Sequence, residues 1–192
     1  GLNDIEGARK AIQKGLTHQN VAAWQFYHAL FKTYALIGEY DKATDLGKHL
    51  TIFPFWDRVV NGHKQKAAGN LEAAIGDFKF LSEKTPGPAE SYNLALCYFE
   101  GGQNDLAIQA ARRTLKIAPN HWDEIYYSSL RAAVYARTFH LLGKIYEKKG
   151  DKQRAIENTE KFLDLWRDAD SDLPDLIEAK KRLARLKDIS VK

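Results

Sequence analysis

The chain has 192 residues, of which 44% are apolar and 28% charged, with a formal net charge of +4. That balance fits a globular protein able to bury a core, and it excludes a disordered chain; the positive charge is too mild and too scattered for a nucleic-acid binder. The single cysteine, Cys97, excludes an internal disulfide, no apolar run reaches membrane-helix length, and no signal-peptide pattern opens the chain. A cytoplasmic location without a membrane span is the expectation.

Taken from the start, the chain opens Gly1-Leu2-Asn3-Asp4 without an initiator Met. Ile5 to Leu16 reads as the second helix of a hairpin whose first helix is absent, as in a segment of a longer protein. Helices are then expected at 22–37, 41–52, 56–68, 71–84, 89–101, 105–117, 122–149, 152–167 and 173–188, after a first one at 4–16. Pro54, Pro86, Pro88, Pro119 and Pro174 all fall near expected helix ends, where a residue without an N–H does least harm. No strand-like alternation bounded by turn residues occurs. Trp122, Ile125, Tyr126, Leu130, Val134, Leu141, Leu142 and Ile145 support one long helix over 122–149.

The last helix carries a start signal: Asp172 to cap it, Pro174 in its first turn and Asp175 at its positive end. Leu176, Ala179, Leu183 and Leu186 form one apolar stripe. Lys180, Lys181, Arg182, Arg185 and Lys187 are expected to cover a solvated outer face. The reading is a capping helix, apolar toward its neighbour and wet outside.

One spacing recurs through these elements. It reads YALIGEYDKA from Tyr34 to Ala43, QKAAGNLEAA from Gln65 to Ala74, YFEGGQNDLA from Tyr98 to Ala107 and YEKKGDKQRA from Tyr146 to Ala155. Each is a helix ended by glycine in a left-handed turn, followed five residues later by an alanine near the start of a second helix. Such a hairpin cannot bury its apolar face alone and must stack on neighbours.

On these residues the chain resembles the tetratricopeptide repeat family, whose unit is a 34-residue helix–turn–helix. In the third unit Leu94, Ala95, Tyr98, Gly102, Ala107 and Pro119 match the signature; in the fourth Leu142, Gly143, Tyr146, Gly150 and Ala155 do; in the first Tyr27, Leu30, Tyr34, Gly38 and Ala43 do. The turn glycines, Gly38, Gly69, Gly102 and Gly150, are spaced 31, 33 and 48 residues apart rather than 34. The second unit departs further, with Arg58, Asn61 and Gln65 where the family buries apolar residues. The stretch from Tyr135 to Leu186 is similar to the C-terminal repeats of bacterial signalling proteins.

The resemblance implies an all-α fold: a right-handed α-solenoid of about four hairpins closed by a capping helix, in one domain. A half-repeat at 1–20 precedes repeats at about 22–54, 55–87, 88–120 and 122–168, and the cap spans 172–189. It also implies a non-catalytic scaffold that binds a partner peptide or helix along the first helix of each unit. The family's groove positions fall on Gln25, His28, Lys32 and Ala35; on Trp56, Val59, His63 and Lys66; on Ala89, Tyr92, Leu96 and Phe99; and on Arg137, His140, Lys144 and Glu147. Bases mixed with aromatics suit a partner carrying carboxylates and apolar anchors. Two alternatives stand beside this: self-association through an apolar end around Ile5, Ile12, Leu16, Trp24 and Phe31, giving a homodimer, and regulation in cis of an attached signalling enzyme.

Other chemistry finds little support. A family subgroup clamps a partner's terminal carboxylate with a Lys and an Asn, but His28 and Lys32 stand at those positions. His28, His63 and His140 lack the HxxxH or CxxC spacing of a metal site, and no cofactor is implied. No GxSxG, GxxxxGK, HExxH or GxGxxG occurs. Cys97 reads as a buried small hydrophobe. The acidic run DLWRDADSDLPD reads as a solvated helix connection.

Overall fold

The computed structural model describes residues 23–49, 55–118 and 128–188. The expected helix at 4–16, with Ile5, Ile12 and Leu16, lies outside them, as do Trp122, Ile125 and Tyr126. Among the described residues there are nine helices and no strand: α1 (Ala23–Leu36), α2 (Tyr40–His49), α3 (Trp56–Ala67), α4 (Leu71–Lys84), α5 (Pro88–Glu100), α6 (Asn104–Ile117), α7 (Ser128–Lys148), α8 (Lys152–Leu165) and α9 (Pro174–Asp188). They form two compact units dividing between Thr85 and Pro86. The first holds the hairpins α1/α2 and α3/α4; the second holds α5/α6, α7/α8 and then α9.

All four hairpin turns are built alike. Gly38, Gly69, Gly102 and Gly150 have φ of +83°, +79°, +75° and +76°. The N–H after each glycine reaches back to a carbonyl five residues earlier: Glu39 to Tyr34 at 2.9 Å, Asn70 to Gln65 at 2.9 Å, Gln103 to Tyr98 at 2.8 Å and Asp151 to Tyr146 at 2.9 Å. This satisfies a carbonyl that the helix end would otherwise orphan. The chain then re-enters a helix whose first turn carries Ala43, Ala74, Ala107 or Ala155, each 0% exposed.

Those alanines let the two helices of a hairpin close together. So do Gly62 and Gly143 on the facing helices. A Cβ on Gly62 would lie 3.0 Å from the Phe78 ring, and one on Gly143 would lie 2.7 Å from Thr159 Oγ1. Around these narrow waists pack Leu30, Phe31, Tyr34, Val59, Phe78 and Leu81 in the first unit. In the second unit Leu94, Ala95, Cys97, Leu141, Leu142, Ile145, Tyr146 and Phe162 do the same. Burial of each large side chain contributes about 1.5–3 kcal/mol. Cys97 is fully buried, as expected of a small hydrophobe at a packed position.

Three buried threonine hydroxyls in the second unit do not cross between helices. Thr114, Thr138 and Thr159 are fully buried, and each donates to its own helix four residues back: to Ala110 O at 3.1 Å, Val134 O at 2.7 Å and Ala155 O at 2.7 Å.

The polar residues of the second hairpin, at positions the family fills with apolar ones, are held by a hydrogen-bond ladder. Arg58 Nη1 donates to Asp77 Oδ1 at 2.9 Å and Asn61 Nδ2 to Asp77 Oδ2 at 2.5 Å. Gln65 Nε2 donates to Asn61 Oδ1 at 3.4 Å, and Asn70 Nδ2 to Gln65 Oε1 at 2.8 Å. The Arg58 guanidinium also lies 4.2 Å over the Phe80 ring. Asp77 is buried, so these donors are what makes its burial tolerable.

The last helix begins at Pro174, and Leu173 rather than Asp172 takes the capping position. The Leu173 carbonyl accepts from the N–H of Leu176 at 3.0 Å and of Ile177 at 3.1 Å. Leu176 and Ala179 join Ala136 and Phe162 in one buried cluster, with Phe139, Leu163, Trp166, Ala169 and Leu173 packed around it.

Candidate partner-binding face

Arg137, His140, Lys144 and Glu147 follow one another at three- and four-residue steps, so they share one face of α7. Asp175, Glu178, Arg182 and Arg185 repeat the same steps on α9, each 38 residues further on. The two rows meet rung by rung. Arg137 donates to Asp175 Oδ2 through Nε at 2.7 Å, and its Nη2 lies 2.6 Å from the same oxygen. His140 Nε2 lies 3.3 Å from Glu178 Oε2, and Lys144 Nζ is 2.8 Å from that oxygen. Arg182 donates to Glu178 Oε1 at 2.5 Å and to Glu147 Oε2 at 2.8 Å, and Arg185 to Glu147 Oε1 at 2.5 Å. α9 thus stands beside α7 in the register of a further first helix. Its opposite side is wet: Lys180, Lys181 and Ala184 are exposed, and Ile177 is 40% exposed.

This corrects the solvated basic face expected for α9 at one residue, Arg182. Arg182 is only 6% exposed, inside the ladder, and Arg185 is paired to Glu147. Lys187 reaches Glu160 on α8 at 2.8 Å. Lys180, Lys181, Arg185 and Lys187 are exposed as expected, the last two while paired, and Arg182 alone is buried.

The ladder sets its own electrostatics. Burial by itself would raise the Glu178 carboxyl, but hydrogen bonds from Lys144 and Arg182 outweigh it and hold the pKa down to about 2. Glu147 is likewise held below its ordinary value: burial opposes this, and hydrogen bonds from Arg185 and Arg182 prevail. His140, 5% exposed with its ring 4.8 Å from Phe162, is pushed down to about 4 by burial and then by the Lys144 and Arg182 charges, against Glu178 and Asp175. It is neutral at pH 7.

On α5, Tyr92, Leu96 and Phe99 are half-buried. Burial, opposed by Arg137 and assisted by Asp175 and Glu100, pushes the Tyr92 hydroxyl up to about 12. Tyr92 therefore feels the first rung of the ladder. Lys148 Nζ sits 5.4 Å over the Phe99 ring. The structure thus brings Tyr92, Arg137, His140 and Lys144 into one neighbourhood of the second unit.

In the first unit the expected residues are less uniform. His28 is buried, its ring nearly parallel to Phe31 at 6.4 Å. Lys32 and Lys66 are half-buried on α1 and α3. Trp56 lies against α2: a Cβ on Gly47 would come 2.4 Å from Trp56 Cε3. His63 meets the Phe78 ring edge-on at 5.2 Å, and its carbonyl accepts from the Tyr40 hydroxyl at 3.2 Å. Gln25 lies on α1, its side chain outside the described set.

Sequence reasoning missed the second row of this face, Asp175, Glu178, Arg182 and Arg185. The signal was present, because these residues copy the spacing of the α7 row. Among the described residues no group of three or more His, Cys, Asp or Glu is placed to hold a metal ion, and no helix is long and apolar enough to cross a membrane.

The tetratricopeptide repeat family matches residues 91–121 and 136–165, which cover most of α5/α6 and α7/α8. No curated protein matches the chain. Among solved structures, BtubC (BKLC) from P. vanneervenii is similar at 14% identity with a TM-score of 0.61, over 97% of this chain and 82% of that one. The nearly identical TPR-like repeats of a kinesin light chain-like protein from Podosopora anserina are similar at 18% identity with a TM-score of 0.52, over 85% of this chain and 84% of that one. At such identities the likeness speaks for the all-α helical-repeat fold alone. Repeats of this family generally serve protein–protein interaction and are generally non-catalytic. The chain thus carries two tetratricopeptide repeats, at residues 91–121 and 136–165, within a fold of helical hairpins.

Proposed function

We propose that the chain is a non-catalytic scaffold that holds a partner polypeptide along the faces of its first helices. In the second unit the partner meets Leu96 and Phe99 of α5, beside Lys148. In the first unit it meets Lys32, His63 and Lys66. The observation that supports this reading is the rung-by-rung match of α7 with α9. Rows sharing one register on α7 and α9 support it, because a continuous contact surface requires equivalent positions on neighbouring helices.

On α7, Arg137 and Lys144 already have Asp175 and Glu178. Carboxylates of a partner meet Lys32 and Lys66 in the first unit and compete with these resident acids for Arg137 and Lys144 in the second, where Leu96 and Phe99 add apolar anchors. A preformed face of this kind binds without ordering itself first. The self-association reading loses one anchor, because Phe31 is fully buried within the chain.

The test is affinity capture with the wild-type chain, with Lys32→Glu/Lys66→Glu and with Phe99→Ala, each checked for unchanged helical circular dichroism. Loss of the captured partner in both variants is expected. Equal capture by all three chains would overturn the reading.

A further inference from the structure

Arg182 occupies a place in α9 where a helix serving only as a cap would carry leucine. It sits between Ala179 and Leu186, three and four residues away, both buried, and is itself only 6% exposed. Its Nε and Nη2 go to Glu147 and Glu178, while Nη1 is buried without a hydrogen-bond partner among the described groups. A buried ion pair of this kind is often no better for stability than an apolar residue of similar volume. What it adds is conditionality: the helix is held as long as its charges are matched. The same holds along the rest of the row. Asp175 and Glu178 lie three residues apart on α9, and between them they pair with Arg137, His140 and Lys144 on α7. The apolar hold is confined to one stripe, Leu176, Ala179 and Leu186 buried and Leu183 half-buried, with Leu176 and Ala179 in the Ala136/Phe162 cluster. The connection before α9, from Arg167 to Asp172, is largely exposed.

We propose that α9 is an exchangeable occupant of the α7 face, and that the partner able to displace it is an acidic helix presenting two carboxylates one turn apart. This rests on the reading of the first-helix faces as binding surfaces. Charge complementarity selects the occupant: Arg137 and Lys144 require anions, and α9 supplies them at i and i+3. α9 and the partner exclude one another because they use the same bases. Binding of the partner is then weakened by the fraction of time that α9 is docked.

The probe is a fluorescein-labelled peptide copying residues 170–188, added in trans and followed by anisotropy. Three chains are compared: the wild type, Asp175→Asn/Glu178→Gln, which weakens the resident helix, and Arg182→Met, which replaces its buried charge by an apolar side chain. In Arg182→Met, Glu147 keeps Arg185 and Glu178 keeps Lys144, so neither carboxylate is left unpaired. The expected result is roughly tenfold tighter binding to the first variant than to the wild type, and weaker binding to Arg182→Met. The same peptide with its two carboxylates replaced by Asn and Gln should gain nothing. Equal affinity for all three chains, or equal binding of the uncharged peptide, would overturn the proposal. Should the double variant lose helicity, the comparison of wild type with Arg182→Met decides alone. Because the assay reads only α7 and α9, its failure is separable from a failure of partner capture through Lys32, Lys66 or Phe99.

Discussion

Arg58 and Asp77 are joined across the second hairpin at 2.9 Å. Asn61 binds the second oxygen of the same carboxylate. Removing that acceptor strands Asn61 and unpins Arg58 from its place over Phe80. Asp77→Ala should therefore destabilise the first unit by about 1–2 kcal/mol. A urea midpoint unchanged from wild type would show that the ladder is ornamental to the hairpin.

Gly102 tests backbone conformation alone. Its φ is +75°, and a Cβ there would meet nothing within 4 Å. Steric clash with neighbours is thus absent, and only the left-handed backbone opposes a branched side chain. Gly102→Val is expected to cost about 1–2 kcal/mol, and Gly102→Asn markedly less. Thermal unfolding of the two variants side by side gives the comparison.

Gly143 tests the opposite term. Its added Cβ would lie 2.7 Å from Thr159 Oγ1 across the hairpin waist. Gly143→Ala should destabilise by about 1–3 kcal/mol through overpacking. Thr159→Ala removes the obstructing hydroxyl, so the double variant should recover much of that loss. A double-mutant cycle with zero coupling would contradict the close approach.

The α7/α9 ladder makes the second unit acid-sensitive in two stages. His140 titrates at about 4 when folded against an ordinary 6.5, so the unfolded chain takes up its proton first. Its contribution is complete above pH 6.5 and is lost as pH falls toward 4. Glu178, held at about 2 against 4.5, contributes fully above pH 4.5 and loses its contribution as pH falls toward 2. Urea midpoints at stepped pH should decline in both windows. His140→Gln should abolish the upper decline and leave the lower one.

The hairpins were legible in the sequence because their determinants are local. A glycine that must adopt positive φ and an alanine five residues later mark each turn without reference to the rest of the chain. Where both ends fall on described residues, expected and observed helix ends accordingly agree within a few residues. The site was legible only in part. Family register placed Arg137, His140 and Lys144 on one face, but their partners lie 34 to 38 residues away, on a helix whose apolar stripe drew attention from its charges. Apolar periodicity scores Arg182 as surface, although Glu147 and Glu178 make its burial possible. The packing of Trp56, named as a groove residue, against α2 went unread for a related reason: it depends on Gly47, a residue that leaves space rather than a signal.

The inward-turned threonines carry a consequence for how the second unit keeps its geometry. Because Thr114, Thr138 and Thr159 spend their hydroxyls on their own helices, none of these three pins one helix to another. Dispersion and shape alone govern contact at those points, and such contact tolerates small sliding. Angular precision then falls to the rim, to Arg112 on Tyr146, Lys149 on Asp105 and the α7/α9 rungs. Salt, which leaves a dry interior untouched, becomes the natural means of loosening the tilt of one helix against the next without melting either.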